Sequence, residues 1–165
     1  MIILMKCRQG KWKNMIKILF VCHGNICRST MAQYVMQHMV YSAGISQQFY
    51  IDSAATSYEE IGNGVHHGTR GKLKREGIYC GDHRARHMEL SDYDNFDYII
   101  GMDTANMRNL NQFYHNDPEG KIYKLLQFAG ESGDIADPWY TGNFDVTFDD
   151  VVRGCEGLLK QLNNG

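Results

Sequence analysis

Apolar residues along the chain fall into two patterns, and the two alternate. The run MIKILFV (15–21) is continuous, contains β-branched residues and runs straight into a Gly-containing loop, as expected of a strand buried on both faces. Residues 29–44, STMAQYVMQHMVYSAG, repeat instead at helical spacing. Met31, Tyr34, Val35, His38 and Met39 share one face, Ser29 or Thr30 can cap the start, and Gly44 closes the end. Further strands are predicted over 48–56 (QFYIDSAAT), 96–103 (FDYIIGMD) and 121–128 (KIYKLLQF). Helices are predicted over 69–77 (TRGKLKREG), over 104–114 behind an Asp103 cap, and over 145–162. In the last of these Val146, Phe148, Val151, Val152, Leu158, Leu159 and Leu162 are apolar, while Gly154 and Gly157 weaken the pattern. The Gly- and Asn-rich stretch 59–71 reads as a loop.

Strand and helix alternate throughout. That predicts an α/β domain, a single open four-stranded parallel sheet with helices on both faces, Rossmann-like in architecture. In such sheets ligands sit beyond the carboxyl ends of the strands, where the strand order reverses. Residues 22–29 follow the first strand and belong at such an end.

The 165 residues amount to one domain. Residues 1–14, MIILMKCRQGKWKN, turn from apolar to basic and precede a second methionine, Met15; they are expected to be a loosely attached, non-catalytic extension to a domain over 15–165. A net charge of −2 gives no general attraction to nucleic acid or anionic membrane, and no apolar run approaches the roughly 18 residues of a membrane span. Neither partner is expected. The five cysteines are odd in number and irregularly spaced, so reduced thiols and a cytoplasmic location are expected rather than a disulfide framework. There is no C-x-x-C pair or zinc-finger spacing, and His66, His67, His83 and His87 read as solvated histidines, although a helix would put the last two on one face. No metal or cofactor is expected. The basic stretches RGKLKREG and HRARH need no nucleic acid to explain them.

The chemistry concentrates in VCHGNICRST (21–30). A loop running from a strand into a helix start presents backbone N–H groups and the positive end of the helix dipole. Gly24 permits close backbone approach, and Arg28 adds a planar fork suited to two phosphate oxygens. Cys22 placed in that cradle is favoured as the thiolate, so one set of donors holds both a nucleophile and the anion it attacks. A late Asp137-Pro138 pair reads on its own as the start of a turn, and beside the Cys22 loop as an acid on a stiffened turn, suited to protonating a leaving oxygen.

These residues carry a resemblance. The chain resembles the low-molecular-weight protein tyrosine phosphatases through ILFVCHGNICRST, DSAATS (52–57), FDYIIGMD with Asn106 following, and DPWY (137–140), in the family's order and over essentially all of 15–165. The resemblance implies hydrolysis of phosphotyrosine in proteins, and of small aryl phosphates, through a cysteinyl-phosphate. Cys22 is then the nucleophile, Arg28 the phosphate-binding arginine and Asp137 the general acid. His23, Gly24, Asn25, Ile26, Cys27 and Arg28 form the phosphate-binding loop. Ser29 resembles the hydroxyl that bonds the thiolate, Asn25 the residue that holds the loop's shape, and Ser53 a member of the same supporting network. Trp139 and Tyr140 are expected on one wall of the cleft and Tyr58 on the other, where Glu59 stands in place of the Trp or Tyr of many relatives. Glu76, before Gly77-Ile78, replaces a frequent histidine. Cys27 is expected to form a reversible, protective disulfide with Cys22, whereas Cys80 and Cys155 are expected to be structural. Tyrosine-phosphorylated proteins are the expected partners, and the chain a monomer or weak homodimer.

Related activities fit less well. Arsenate reductase on this scaffold needs two further relay cysteines, and only Cys80 lies in the relevant region. Protein-arginine phosphatase carries threonine where Ile26 stands. A phosphocysteine carrier of sugar transport has no use for Arg28 and Asp137, nor a phosphotyrosine-binding module for Cys22.

Overall fold

The computed structural model describes residues 15–164; the expected extension over 1–14, with Cys7, lies outside them. A parallel four-stranded sheet runs in the order β2 (Phe49–Ala55), β1 (Ile16–Cys22), β3 (Tyr98–Gly101), β4 (Ile122–Lys124). Around it lie α1 (Arg28–Ser42), α2 (His67–Arg75), α3 (Asp92–Asn95), α4 (Thr104–Phe113), α5 (Pro138–Thr141) and α6 (Phe144–Asn164). β1 accounts for the continuous apolar run. Its Ile18, Phe20 and Cys22 point into a core shared with Met31 and Val35 of α1 and with Val151 and Leu158 of α6. Its Leu19 and Val21 point the other way, onto Leu110 of α4 and Met88 and Phe96. A strand covered on both faces keeps no polar side. The strand order reverses between β1 and β3, so the loop after β1 opens at the switch point.

Several elements depart from the sequence reading. α1 starts at Arg28 with Cys27 at its cap position and no side-chain cap; Ser29 faces Cys22, and Thr30 Oγ1 donates to the Cys27 carbonyl at 3.0 Å. The first nine residues of α1 are all buried, because the helix is enclosed by the sheet, α2 and α6. The amphipathic period is therefore lost, and His38, expected on the inner face, is exposed. α2 begins at His67, earlier than predicted, with His66 Nδ1 accepting the Gly68 N–H at 3.0 Å as an imidazole cap. The fourth strand ends at Lys124 and tightens into a 3₁₀ segment, Leu125–Ala129, under α6. There Gly154 and Gly157 have a packing reason: a Cβ would collide with the Leu125 side chain at one and the Phe128 carbonyl at the other. The single-turn helices α3 and α5 carry no periodic signal.

The 83–87 segment is not helical. It runs beside the end of β2, with Ala55 N–H donating to Arg86 O at 2.7 Å and Met88 N–H to Ala55 O at 2.9 Å. His83 and His87 are half-buried rather than solvated, bonding the carbonyls of Asn25 at 3.0 Å and Thr56 at 3.2 Å. Among the described residues no helix is long and apolar enough to cross a membrane, and no cluster of potential metal ligands occurs.

Candidate active site

β1 delivers Cys22 to the floor of a cleft, and the chain curls through residues 23–27 before entering α1. Asn25 takes a left-handed backbone, φ 59°, which turns its N–H onto Cys22 Sγ at 3.3 Å. Asn tolerates that conformation better than most side chains. Its buried side chain holds the curl from both ends: Nδ2 donates to Ser29 Oγ at 2.8 Å and Oδ1 accepts the Arg86 N–H at 3.1 Å. Ser29 Oγ in turn lies 3.1 Å from Cys22 Sγ. Among the described residues, no acceptor takes the N–H groups of His23, Gly24, Ile26, Cys27 and Arg28, and these residues line the cleft with Cys22. The loop thus presents a set of free donors around one sulfur, at the start of a fifteen-residue helix.

Arg28 is buried beneath this ring. Its Nη1 donates to Asp103 Oδ2 at 2.6 Å and to the Ile135 carbonyl at 2.9 Å, and Nη2 reaches Asp137 Oδ2 at 3.4 Å. Burial works against its charge, but Cys22 and Asp103 outweigh it and hold its pKa above the ordinary value. Sequence reading placed Asp103 only as the α4 cap. It does cap, accepting the Asn106 N–H on Oδ1 at 2.7 Å, while Oδ2 aims the guanidinium. The available signal was its place at the carboxyl end of a strand beside the switch point. Asp137 caps α5 by accepting the Trp139 N–H at 3.0 Å, which points its other oxygen into the cleft. Cys27 is buried, and its thiol is pushed up to about 12 by burial and then by the neighbouring Cys22.

The rim is built differently. Trp139 and Tyr140 line one wall and are 57% and 83% exposed. The opposite wall carries Glu59 and Glu60 rather than Tyr58, which corrects the expectation for that residue. Tyr58 stacks on His87 with ring centroids 3.9 Å apart, facing away from the cleft. Glu59 Oε2 meets His23 Nε2 at 3.0 Å across the mouth. Glu60 packs against Gly24, where an added Cβ would stand 3.2 Å from Glu60 Cγ, and its carboxylate accepts from Asn63 Nδ2 at 2.6 Å. Ser53 also differs from expectation: its hydroxyl donates to Gln33 Oε1 at 2.5 Å and has no bond to Asn25 or Ser29. The loop's second tier is made by His83 and Arg86, and Arg86 is itself fixed by Asp52 and Asp92. His66, behind Trp139 at a centroid distance of 5.6 Å, has its pKa lowered by burial and then by His67.

Comparison with known proteins places this geometry. The family model of low molecular weight phosphotyrosine protein phosphatases matches residues 17–165. The Bacillus subtilis protein named low molecular weight protein-tyrosine-phosphatase YfkJ is 39% identical over 150 residues, 90% of this chain and 96% of its own. Its crystal structure aligns with a TM-score of 0.89 at 38% identity, over 92% of this chain and 97% of that one. A Schizosaccharomyces pombe protein named low molecular weight phosphotyrosine protein phosphatase is 40% identical, covering 89% of this chain and 97% of its own. The crystal structure of DARP, a Drosophila arginine phosphatase, aligns with a TM-score of 0.83 at 28% identity, over 89% of this chain and 98% of that one. With one family model covering nearly the whole chain and relatives near 40% identity along their full lengths, the protein belongs to the low molecular weight phosphotyrosine protein phosphatase family.

Proposed function

We propose that the protein hydrolyses phosphotyrosine in proteins through a cysteinyl-phosphate on Cys22. The observation that carries this is the ring of free loop N–H groups and the Arg28 guanidinium around one buried sulfur. These donors fit the oxygens of a phosphoryl group and act where charge develops during transfer. Cys22 sulfur attacks phosphorus, an S–P bond forms, and the P–O bond to the ring breaks. The ester's own charge, drawn to Arg28, frees Asp137 Oδ2 from that partner to face the leaving oxygen and give it a proton. Asp137 then takes a proton from water, the hydroxide attacks phosphorus, and the S–P bond breaks. Ser29 donates to the departing thiolate from its 3.1 Å position.

Ile26 gives the cleft an apolar wall, which suits a flat aryl ester and weighs against the phosphorylated guanidine to which the likeness to DARP points. Once a peroxide has oxidised the Cys22 thiolate to a sulfenic acid, Cys27 of the same loop can condense with it, forming a disulfide and releasing water. That step is slowed by the burial that keeps the Cys27 thiol protonated. Phenyl phosphate hydrolysis without added metal tests the proposal. Cys22→Ser is expected to abolish turnover, and Asp137→Asn to lower kcat by about 10²–10⁴-fold, less for good leaving groups. Turnover surviving in Cys22→Ser, or a phosphoarginine peptide outpacing a phosphotyrosine peptide, overturns it.

A further inference from the structure

A second groove adjoins the cleft. It has a volume of about 460 Å³ and is lined by His23, Ser57, Met88, Asn109, Gln112 and Phe113, with His23 common to both. The shared wall is firmly held: the His23 carbonyl accepts the Ser57 N–H at 3.1 Å and its hydroxyl at 2.9 Å. Buried Met88 and half-buried Phe113 form an apolar floor. Phe113 stands edge-on to His87 at 5.7 Å, and Tyr58 covers the other side of that imidazole. Above the floor Asn109 and Gln112 project from α4, three positions apart and so on one face. Their amides make no hydrogen bond among the described residues. Apart from His23 the lining carries no ionisable side chain.

We infer that this groove is a subsite for an uncharged apolar residue of an extended peptide, two or three positions from the phosphotyrosine held in the cleft. The inference rests on the phosphotyrosine reading of Cys22 and names what surrounds the phosphorylated residue. The two hollows share His23 as a common wall. An extended peptide advances about 3.3 Å per residue, so a residue two or three positions from the phosphotyrosine is the one to pass that wall. A side-chain carboxamide offers both donor and acceptor, as a peptide main chain requires, and the floor accepts an apolar side chain. A small phosphorylated metabolite has no atoms to place there.

The test is a phosphotyrosine peptide of Gly and Ala in which one Leu is moved through each position from four before to four after the phosphotyrosine. For each protein, kcat/KM is divided by its own value for phenyl phosphate. The wild type is expected to show one peak of about fivefold, two or three residues from the phosphotyrosine, as for a side chain partly removed from water. Asn109→Trp or Gln112→Trp, each filling the groove from an exposed helical position, is expected to flatten the peak; two sites are used so that misfolding of one leaves the other. A flat wild-type profile, or a peak surviving in both variants, overturns the subsite while phenyl phosphate turnover stands. Failure of the wild type to cleave phenyl phosphate removes the phosphatase reading, and the subsite with it.

Discussion

The bed of the cleft and its rim are made from different materials. In the bed, Cys22, Asn25, Arg28 and Ser29 are 3% exposed or less, and among the described residues no buried side-chain nitrogen or oxygen lacks a partner. At the rim, His23, Glu59, Trp139 and Tyr140 are exposed to solvent, with Glu59 bonded to His23 and Trp139 beside His66. A buried network has few alternative arrangements, because each broken bond strands a polar group in low dielectric. A rim charge can be exchanged with little structural effect. On the proposed reading, the chemistry is held where substitution is costly, and contact with the rest of the substrate falls where it is cheap.

The contrast breaks most sharply at Arg28. Arg28→Lys keeps one charge but loses the fork that reaches Asp103, Ile135 and Asp137 together. It is expected to lower kcat/KM for phenyl phosphate by roughly 10²–10³-fold. A loss below tenfold means that the guanidinium's shape is not needed. Asn25→Ala comes next. It strands the Arg86 N–H, leaves Ser29 Oγ with Cys22 alone and puts alanine at φ 59°. Urea unfolding is expected to show a loss of about 2–4 kcal/mol, with Asn25→Gly milder because only the bonds are lost. Equal losses for the two would remove the backbone argument.

This division also governs what could be read in the sequence. The sheet, its flanking helices and the loop around Cys22 were legible because each is written in contiguous residues: an apolar run, a turn, a helix start. Asp137 was legible only beside the Cys22 loop, because an Asp-Pro pair by itself reads as a turn start. Roles set by distant partners were not. Asp103 announced itself only as a cap, since its second oxygen finds Arg28 across 75 positions. Tyr58 was placed in the cleft by its place in the chain, but His87, brought alongside by the Ala55 pairing, draws its ring away. Ser53 sits one strand from the loop, yet Gln33 of α1 takes its proton first. The buried first half of α1 hid its period for the same reason: three neighbours cover it, and no neighbour is visible in a helical repeat.

Between bed and rim lies the second tier, and pH separates it from both. Burial lowers the pKa of His83, whose imidazole bonds the Asn25 carbonyl. The folded chain therefore resists the proton that an unfolded chain accepts near the ordinary value of 6.5. Stability is full above that value and declines as pH falls below it, until the folded state protonates too; His66 acts in the same direction. His83→Gln, which keeps a donor for the carbonyl but cannot titrate, is expected to unfold with a shallower pH dependence between pH 7 and 5. Identical slopes would show that His83 bears no part of it.

The smallest effect belongs to the rim. His23 and Glu59 meet at 3.0 Å, but their side chains are 48% and 70% exposed. A pair in that setting contributes little to folding, about 0–1 kcal/mol, so Glu59→Gln is expected to unfold like the wild type. Its consequence falls on the approaching substrate. Glu59 and Glu60 set two carboxylates on one side of the mouth, and among the described residues neither meets a Lys or Arg side chain: Glu59 bonds His23 and Glu60 bonds Asn63. A phosphopeptide with acidic residues beside its phosphotyrosine meets like charge there, and one with lysine meets the opposite. Neutralising Glu59 is expected to shift the lysine-to-glutamate ratio of kcat/KM toward unity by about two- to fivefold at low salt. The shift should shrink at ionic strengths where the Debye length is about 8 Å or less. A ratio that ignores both the substitution and the salt would mean that the rim selects by shape alone, leaving the groove beyond His23 to set which peptides are taken.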